Sequence, residues 1–552
     1  MQLAEQLKRR SPMEIGIMAT IFLGLLAFIY TLIPDSTQPL ETNFCPQYKP
    51  LVPNYNLSYY NSNYFYTSEY SNKSLTQFQG AIKIPTVSYD DLPMDVTKDP
   101  RFKVFKTLHE YFEKTFPLTS QYVEFVNEYG LLYTIQGSNP SLKPVVLMSH
   151  QDVVPVAESS LDLWDYPPFE AHFDGEYIHG RGSSDTKNSL LAILEATETL
   201  LEQDYSPERT LILSFGFDEE ISGYRGAGEL GKTIHDRYGD DGIEVIIDEG
   251  SGVAPIAGAR VVALTVAEKG YVDINVSLDT TGGHSSLPPD HTNIGIISEF
   301  VTLLEQNPFP PELNEGNPVL PYFQCLAEHA PKLNEQIRRT VLEIEKGSHK
   351  KDFIEYVSGI PLVKYLIRTS QAADVIQGGS KVNALPERTT VSVNHRINIG
   401  SSVADIVERF EKFATDLARK YDFGVVSFGE TLIEPTAKGV FTIGAPRTLE
   451  TAPLSPTSGE IWEKVAGTSL HVFNPETNPF IDNDTPVFVA PAVFPANTDT
   501  RHYWSNTRAI YRFNPVFQED MIEYHTVNER LRWRSHLTST AWFYDFILNT
   551  TL

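Results

Sequence analysis

The sequence predicts an α/β protein with a mostly parallel central sheet and helices on both faces, an inserted α+β lid, and one N-terminal transmembrane helix. Three observations predict this. First, Val145-Val146-Leu147-Met148, Leu211-Ile212-Leu213-Ser214-Phe215 and Val245-Ile246-Ile247 are short, continuous apolar runs. Runs without alternation suit strands buried on both faces, as in a parallel sheet. Ser189 to Leu201 reads as a helix between two of them. Second, the pattern changes around 278–428 to alternating strands (Tyr271 to Leu278, Thr389 to Ile397) and an amphipathic helix. In that helix Val403, Ile406, Val407, Phe410, Phe413, Ala414 and Leu417 share one face. A more helical stretch at about 305–370 belongs to the same insert. Third, Ile15 to Ile33 carries no charge. Nineteen residues at about 1.5 Å each span roughly 30 Å, the thickness of a bilayer core.

Lys8, Arg9 and Arg10 precede the apolar run, and no positive charge follows until Lys49. The positive-inside rule then puts the tail in the cytosol and the body on the other side. Sequons at Asn56, Asn72, Asn275, Asn483 and Asn549 agree with that side. The expected organisation is a cytosolic tail (1–14), a signal anchor (15–33), a lumenal linker and lead-in (34–95), a first catalytic segment (96–277), the lid (278–428) and a second catalytic segment (429–552).

The chain has 552 residues and 41% apolar content, enough for a large core. Its net charge of -27, from 71 acidic and 44 basic residues, excludes a nucleic-acid partner, which needs a concentrated basic stripe. Cys45 and Cys325 are the only cysteines. A thiolate zinc site and a disulfide scaffold are therefore excluded. An oxidising compartment allows a single Cys45–Cys325 bridge, though nothing in the spacing calls for one.

Each apolar strand ends in chemistry: Ser149-His150-Gln151-Asp152, Phe217-Asp218-Glu219-Glu220 and Asp248-Glu249-Gly250. Open α/β sheets bind ligands beyond the carboxyl ends of their strands. A fourth segment, Gly180-Arg181-Gly182-Ser183-Ser184-Asp185, uses glycines to bring Asp185 to the same crevice. Five imidazole and carboxylate ligands, one of them bridging, suit two borderline cations about 3.5–4 Å apart.

These motifs resemble the di-zinc aminoacylase/carboxypeptidase family. The likeness is carried by Ser149 through Pro155, Gly180 through Lys187, Asp218-Glu219-Glu220, Gly282-Gly283-His284-Ser285-Ser286 and a late His502. Asp185-Thr186-Lys187-Asn188, Gly283 through Thr292 and Asn383-Ala384-Leu385-Pro386-Glu387 are similar to the fungal vacuolar carboxypeptidase S (Gly-Xaa carboxypeptidase) branch. Asn188, where many members have glycine, marks that branch. The resemblance covers roughly 95–552 and implies two Zn2+ per subunit. His150 and Asp248 would hold one, Glu220 and His502 the other, with Asp185 bridging. Asp152 would orient His150, Glu219 would be the general base, His284 would polarise the scissile carbonyl, and Asn383 and Arg396 would bind substrate. It further implies a vacuolar, single-pass enzyme acting on short peptides with a free C-terminus. N-acyl amino acids are the alternative substrates, and a homodimer through the lid is left open. A dead receptor or scaffold on the same fold is the other alternative; the metal ligands and base it would lack are all present in the sequence.

Overall fold

The computed structural model describes residues 43–55, 59–344 and 349–552. The expected anchor at 15–33 lies outside them. Among the described residues, no helix is long and apolar enough to cross a membrane. The chain forms two compact units. The larger contains the described residues up to 266 together with 320–349 and 453–552; the smaller contains 267–319 and 350–452.

Along the chain, the larger unit begins with α1 (Ser68–Ile82), β1 (Val123–Val126), β2 (Gly130–Ile135), β3 (Val145–His150) and α2 (Lys187–Leu201). It continues through β4 (Leu211–Gly216), α3 (Ala227–Tyr238), β5 (Val245–Ile256) and β6 (Ala259–Glu268). The smaller unit supplies β7 (Gly270–Thr280), α4 (Asn293–Gln306), β8 (Ala372–Gly378), β9 (Arg388–Ile397), α5 (Val403–Tyr421), β10 (Gly424–Ser427), β11 (Glu430–Ile433) and β12 (Gly439–Leu449). The chain then returns with α6 (Glu460–Val472), β13 (Val487–Phe494), β14 (Ile510–Phe517) and α7 (Trp533–Thr551).

The main sheet has eight strands in the order β1-β2-β4-β3-β5-β14-β6-β13. Its centre is parallel: β3 pairs parallel with β4 and β5, and β14 pairs parallel with β5. The pairings β1–β2, β2–β4 and β5–β6 are antiparallel. The expected mostly parallel sheet is thus a mixed one. The central strands explain the unbroken apolar runs. Val145, Leu147, Leu211, Leu213, Val245 and Ile247 enter the core shared with α1, α2, α6 and α7. Val146, Met148, Ile212 and Ile246 enter a second core with Leu230 and Ile234 of α3. Each such side chain contributes roughly 1.5–3 kcal/mol on full burial, and the buried Ser214 among them is hydrogen-bonded to the Tyr503 hydroxyl at 2.9 Å.

The smaller unit is a six-stranded sheet, β8-β9-β7-β12-β10-β11. Val272, Ile274, Val276 and Leu278 of β7 are buried with α4 and α5, while Tyr271, Asp273, Asn275 and Ser277 alternate on the half-buried face. Ser402 and Asp405 form a capping box at the start of α5, which buries Ile406, Phe410, Ala414 and Leu417. This unit starts earlier and ends later than the expected 278–428. β12 lies beyond that range but pairs antiparallel with β7 and parallel with β10, a long-range return that local pattern does not mark. The described residues of 320–349 belong to the larger unit instead.

Cys45 and Cys325 form a disulfide with a Cα–Cα distance of 5.0 Å across 280 residues of sequence. Around it, the backbone N–H groups of Phe44 and Cys45 donate to the Glu328 carboxylate at 2.8 and 3.0 Å. The lead-in is thereby tied to the helix Val319–His329.

Candidate metal centre

The centre is built at the carboxyl end of the parallel strands. β3 delivers His150, whose Nδ1 lies 3.0 Å from the Asp152 carbonyl and 3.3 Å from the Asp152 carboxylate. A proton held on Nδ1 by those acceptors leaves Nε2 free to coordinate. Nε2 faces Asp185 Oδ1 at 3.2 Å and Glu249 Oε1 at 3.6 Å. Asp152, fully buried, also accepts from Ser88 Oγ at 2.7 Å and from the backbone N–H groups of Glu219 and Glu220 at 3.1 and 3.2 Å. One carboxylate therefore orients the imidazole and pins the turn after β4 that presents both glutamates.

Asp185 stands between two imidazoles. Its Oδ1 meets His150, and its Oδ2 lies 2.9 Å from His525 Nε2, which is also 3.1 Å from Glu220 Oε1. Two groups of potential ligand atoms fall within 4.8 Å of one another: His150, Glu219 and Glu249, and His150, Asp185 and Glu220. His150 is common to both groups.

The electrostatics fit a cation. Burial, aided by the carboxylate of Glu249, holds the Glu219 carboxyl well above its usual range; burial also pushes Glu220 up to about 7 and raises Glu249. Burial opposes charging of His150 and His525, yet Glu249 beside the first and Glu220 beside the second push both imidazoles up. Those imidazolium charges hold Asp185 below the carboxylate range against its own burial. Clustered, half-buried carboxylates that draw protons onto themselves and onto histidine lack positive charge, and a divalent ion would supply it. An imidazole and carboxylate donor set suits a borderline cation.

In the smaller unit, Gly283–His284 pairs with Ala384–Leu385, placing His284 beside Asn383, whose carbonyl accepts from Ser285 N–H at 3.3 Å. Both residues are exposed. The His284 Nδ1 accepts from the Ser286 backbone at 3.1 Å, which leaves Nε2 outward. Arg396 stacks over the Tyr271 ring at 4.7 Å. It sits at the far end of β9 from His284 and Asn383. Arg388 to Arg396 is eight residues of extended strand, roughly 26 Å.

Residues 146–549 match the peptidase family M20/M25/M40. The chain belongs to that family. It is 44% identical to carboxypeptidase S of Saccharomyces cerevisiae over 93% of this chain and 89% of that protein. It is 33% identical to the mouse N-fatty-acyl-amino acid synthase/hydrolase PM20D1, over 85% of this chain and 86% of that protein. Among solved structures, the M20 metallo-carboxypeptidase Sso-CP2 of Sulfolobus solfataricus shares the fold, with a TM-score of 0.55, 16% identity, and coverage of 86% of this chain and 98% of that one. As an M20 member, the protein is a peptide hydrolase.

Two expected ligands of this M20 site are elsewhere. His502 turns its Nε2 to the Ser222 carbonyl at 2.9 Å and packs against Tyr224. It braces the back of the Glu219–Glu220 turn and does not join the cluster. The imidazole beside Asp185 and Glu220 is that of His525. Asp248 lies with Asp499 and Tyr503, whose carboxyl and phenol it helps to raise, burial being the larger cause for both. The carboxylate that faces His150 is that of Glu249. The reason is a bulge: Arg512 of β14 pairs with Asp248, but Phe513 pairs with Ser251, so Glu249 and Gly250 are extra residues that re-aim the strand end. A Cβ at Gly250 would lie 2.3 Å from the Arg512 carbonyl, so the bulge demands glycine. That Asp-Glu-Gly run was the available signal for Glu249. His525 had little, since it lies in a polar loop and the strand before it, Met521–Ile522, is only two residues long.

Proposed function

We propose that this protein is a di-zinc carboxypeptidase that removes the C-terminal residue of short peptides. The observation that carries it is Asp185, one carboxylate shared between His150 and His525 with Glu219, Glu220 and Glu249 alongside. In this reading His150, Asp185 and Glu249 would hold one zinc, and Asp185, Glu220 and His525 the other. Bound zinc would supply water activation and carbonyl polarisation. Glu219, kept basic by burial and by Glu249, accepts the proton of the attacking water and returns it to the leaving nitrogen. Asp152 keeps the Glu219 backbone still while the proton moves. His284 donates to the developing oxyanion, with Asn383 beside it. Arg396 grips the free C-terminal carboxylate through parallel hydrogen bonds.

This assignment makes Arg396 decisive for direction. Arg396→Ala is expected to lower kcat/KM roughly tenfold to a hundredfold, the scale of losing a hydrogen bond to a charge. The wild type should turn over a C-terminally amidated peptide poorly. Equal rates on free-acid and amidated peptides would remove the carboxylate clamp. A second reading, hydrolysis of N-acyl amino acids, draws on the mouse relative's name and uses the same clamp. A panel of Gly-Xaa dipeptides against acetyl and long-chain acyl amino acids separates the two.

The lid geometry supports a homodimer. His284 pairs beside Ala384, ahead of β9, and Arg396 stands near the end of β9, too far along the strand for one short peptide, about 7 Å for two residues, to touch both from a single lid. A peptide that meets both residues would therefore take them from two copies of the chain. The edge strand β8, exposed along its length with Val375 and Ile376 outward, offers a pairing surface.

The Cys45–Cys325 bridge and the charge pattern around 15–33 support a body in an oxidising lumen, with the vacuole as the destination the resemblance implies. The sequons test this. Asn72 and Asn483 are exposed, whereas Asn549 spends its amide on the Leu51 carbonyl and Thr468 Oγ1 at 3.2 and 2.9 Å. Glycopeptide mapping should therefore find glycan at Asn72 and Asn483 and none at Asn549. A protein without any glycan, cleaved by protease from the cytosolic side, would reverse the topology.

A further inference from the structure

We propose that Glu529 is a positioning residue for the metal centre, the carboxylate that locks the Asp185 loop to the His525 loop. The proposal rests on the two-cation reading above. Glu529 is fully buried. Its Oε1 accepts the backbone N–H groups of Gly182 at 3.0 Å, Ser184 at 2.9 Å and Asp185 at 3.3 Å. Its Oε2 accepts from Arg181 Nη1 at 2.6 Å. The other arm of that guanidinium, Nη2, donates to the Thr526 carbonyl at 3.2 Å, one residue past His525.

The two segments are zipped further on either side. Gly180 N–H donates to the Glu529 carbonyl at 2.9 Å, and Ser184 Oγ donates to the Arg530 carbonyl at 3.0 Å. Arg530–Arg532 pairs antiparallel with Tyr177–His179. Converging backbone N–H groups make an anion cradle. This one closes only because Gly182 sits at φ +88°, where a Cβ would meet Val153 Cγ1 at 2.6 Å.

The consequence reaches the metal ligands through the backbone. The last N–H of the cradle belongs to Asp185 itself, and His525 lies four residues before Glu529. One buried carboxylate thus sets the distance between Asp185 Oδ2 and His525 Nε2, 2.9 Å apart. Glu529 touches neither substrate nor ion. It acts through the two residues it holds, and losing such a partner typically weakens metal binding 10- to 100-fold.

Zinc affinity of the full-length protein, measured by chelator competition on the folded fraction, tests this. Glu529→Ala should weaken zinc binding by about 10- to 100-fold and lower kcat while KM stays within about threefold. Glu529→Gln keeps an oxygen for the cradle, so it should recover most of the affinity. Ile547→Ala, in the core of α7, should lose thermal stability but bind zinc as the wild type does. A Glu529→Ala protein that holds zinc as tightly as wild type, or a Gln variant no better than Ala, overturns the proposal. If Glu529→Ala does not fold, Arg181→Gln is measured in its place, since it leaves the backbone N–H cradle but cuts the ties of the guanidinium to Glu529 Oε2 and to Thr526; unchanged zinc affinity there overturns the proposal equally. A wild type that binds no zinc would instead overturn the metal reading.

Discussion

Glu219→Gln is expected to lower kcat by two or more orders of magnitude while zinc content and thermal stability stay near wild type. Glutamine keeps the length of the side chain and its hydrogen-bonding reach but cannot take a proton, and loss of a general base has that scale. The backbone should not move, because Asp152 holds the Glu219 N–H at 3.1 Å whatever the side chain carries. Removing one acid from a crowd of buried carboxylates also relieves repulsion with Glu249. Glu220→Ala should behave in the opposite way, emptying one site and losing the stability that bound metal adds. The geometry makes the comparison sharp, since the Glu219 carboxylate is itself close enough to His150 and Glu249 to coordinate. Zinc stoichiometry and kcat measured on both variants in one preparation decide it. If Glu219→Gln sheds zinc as Glu220→Ala does, Glu219 is a ligand and the base is another group.

The second large effect separates two histidines. His525→Ala should lose one zinc and nearly all turnover, because its Nε2 is the imidazole shared by Asp185 and Glu220. His502→Ala should keep both zinc ions, losing only the hydrogen bond to Ser222 and part of the bracing of the glutamate turn. Full zinc retention in His525→Ala, or zinc loss confined to His502→Ala, would restore the ligand set expected from sequence. The same centre predicts a pH dependence. The folded, metal-free protein holds a proton on Glu220, whose carboxyl burial pushes up to about 7. A raised folded value favours the native state at low pH, and that contribution is lost as pH rises through about 7. In the proposed di-zinc reading, a bound zinc would take the place of that proton. The gap in Tm between zinc-loaded and chelator-treated enzyme should therefore widen from pH 5.5 to pH 8. A gap that narrows over this interval would argue against carboxylate ligands of this kind.

Much of this protein was legible along the chain. The unbroken apolar runs of β3, β4 and β5 announced strands buried on both faces, and the residues following them announced where the chemistry would gather. His150, Asp152, Asp185, Glu219 and Glu220 lie within or directly beside locally recognisable elements, and the structure brings all five together. The period of α5 was equally plain, because a helix face is written within some fifteen residues. What sequence by itself determined is therefore the set of elements and the acidic, imidazole-rich character of their ends. The tertiary structure decided which neighbour points where. Asp248 and Glu249 differ by one position, and only the register of β5 against β14 creates the bulge that aims Glu249 inward. His502 and His525 are both late histidines in polar surroundings; the pairing of 530–532 with 177–179, more than three hundred residues away, selects the second. The end of the lid was hidden for the same reason, since β12 is known as a lid strand only by its pairing with β7. A strand's side chains alternate, so a shift of one residue reverses a ligand, and that shift is set by partners distant in sequence.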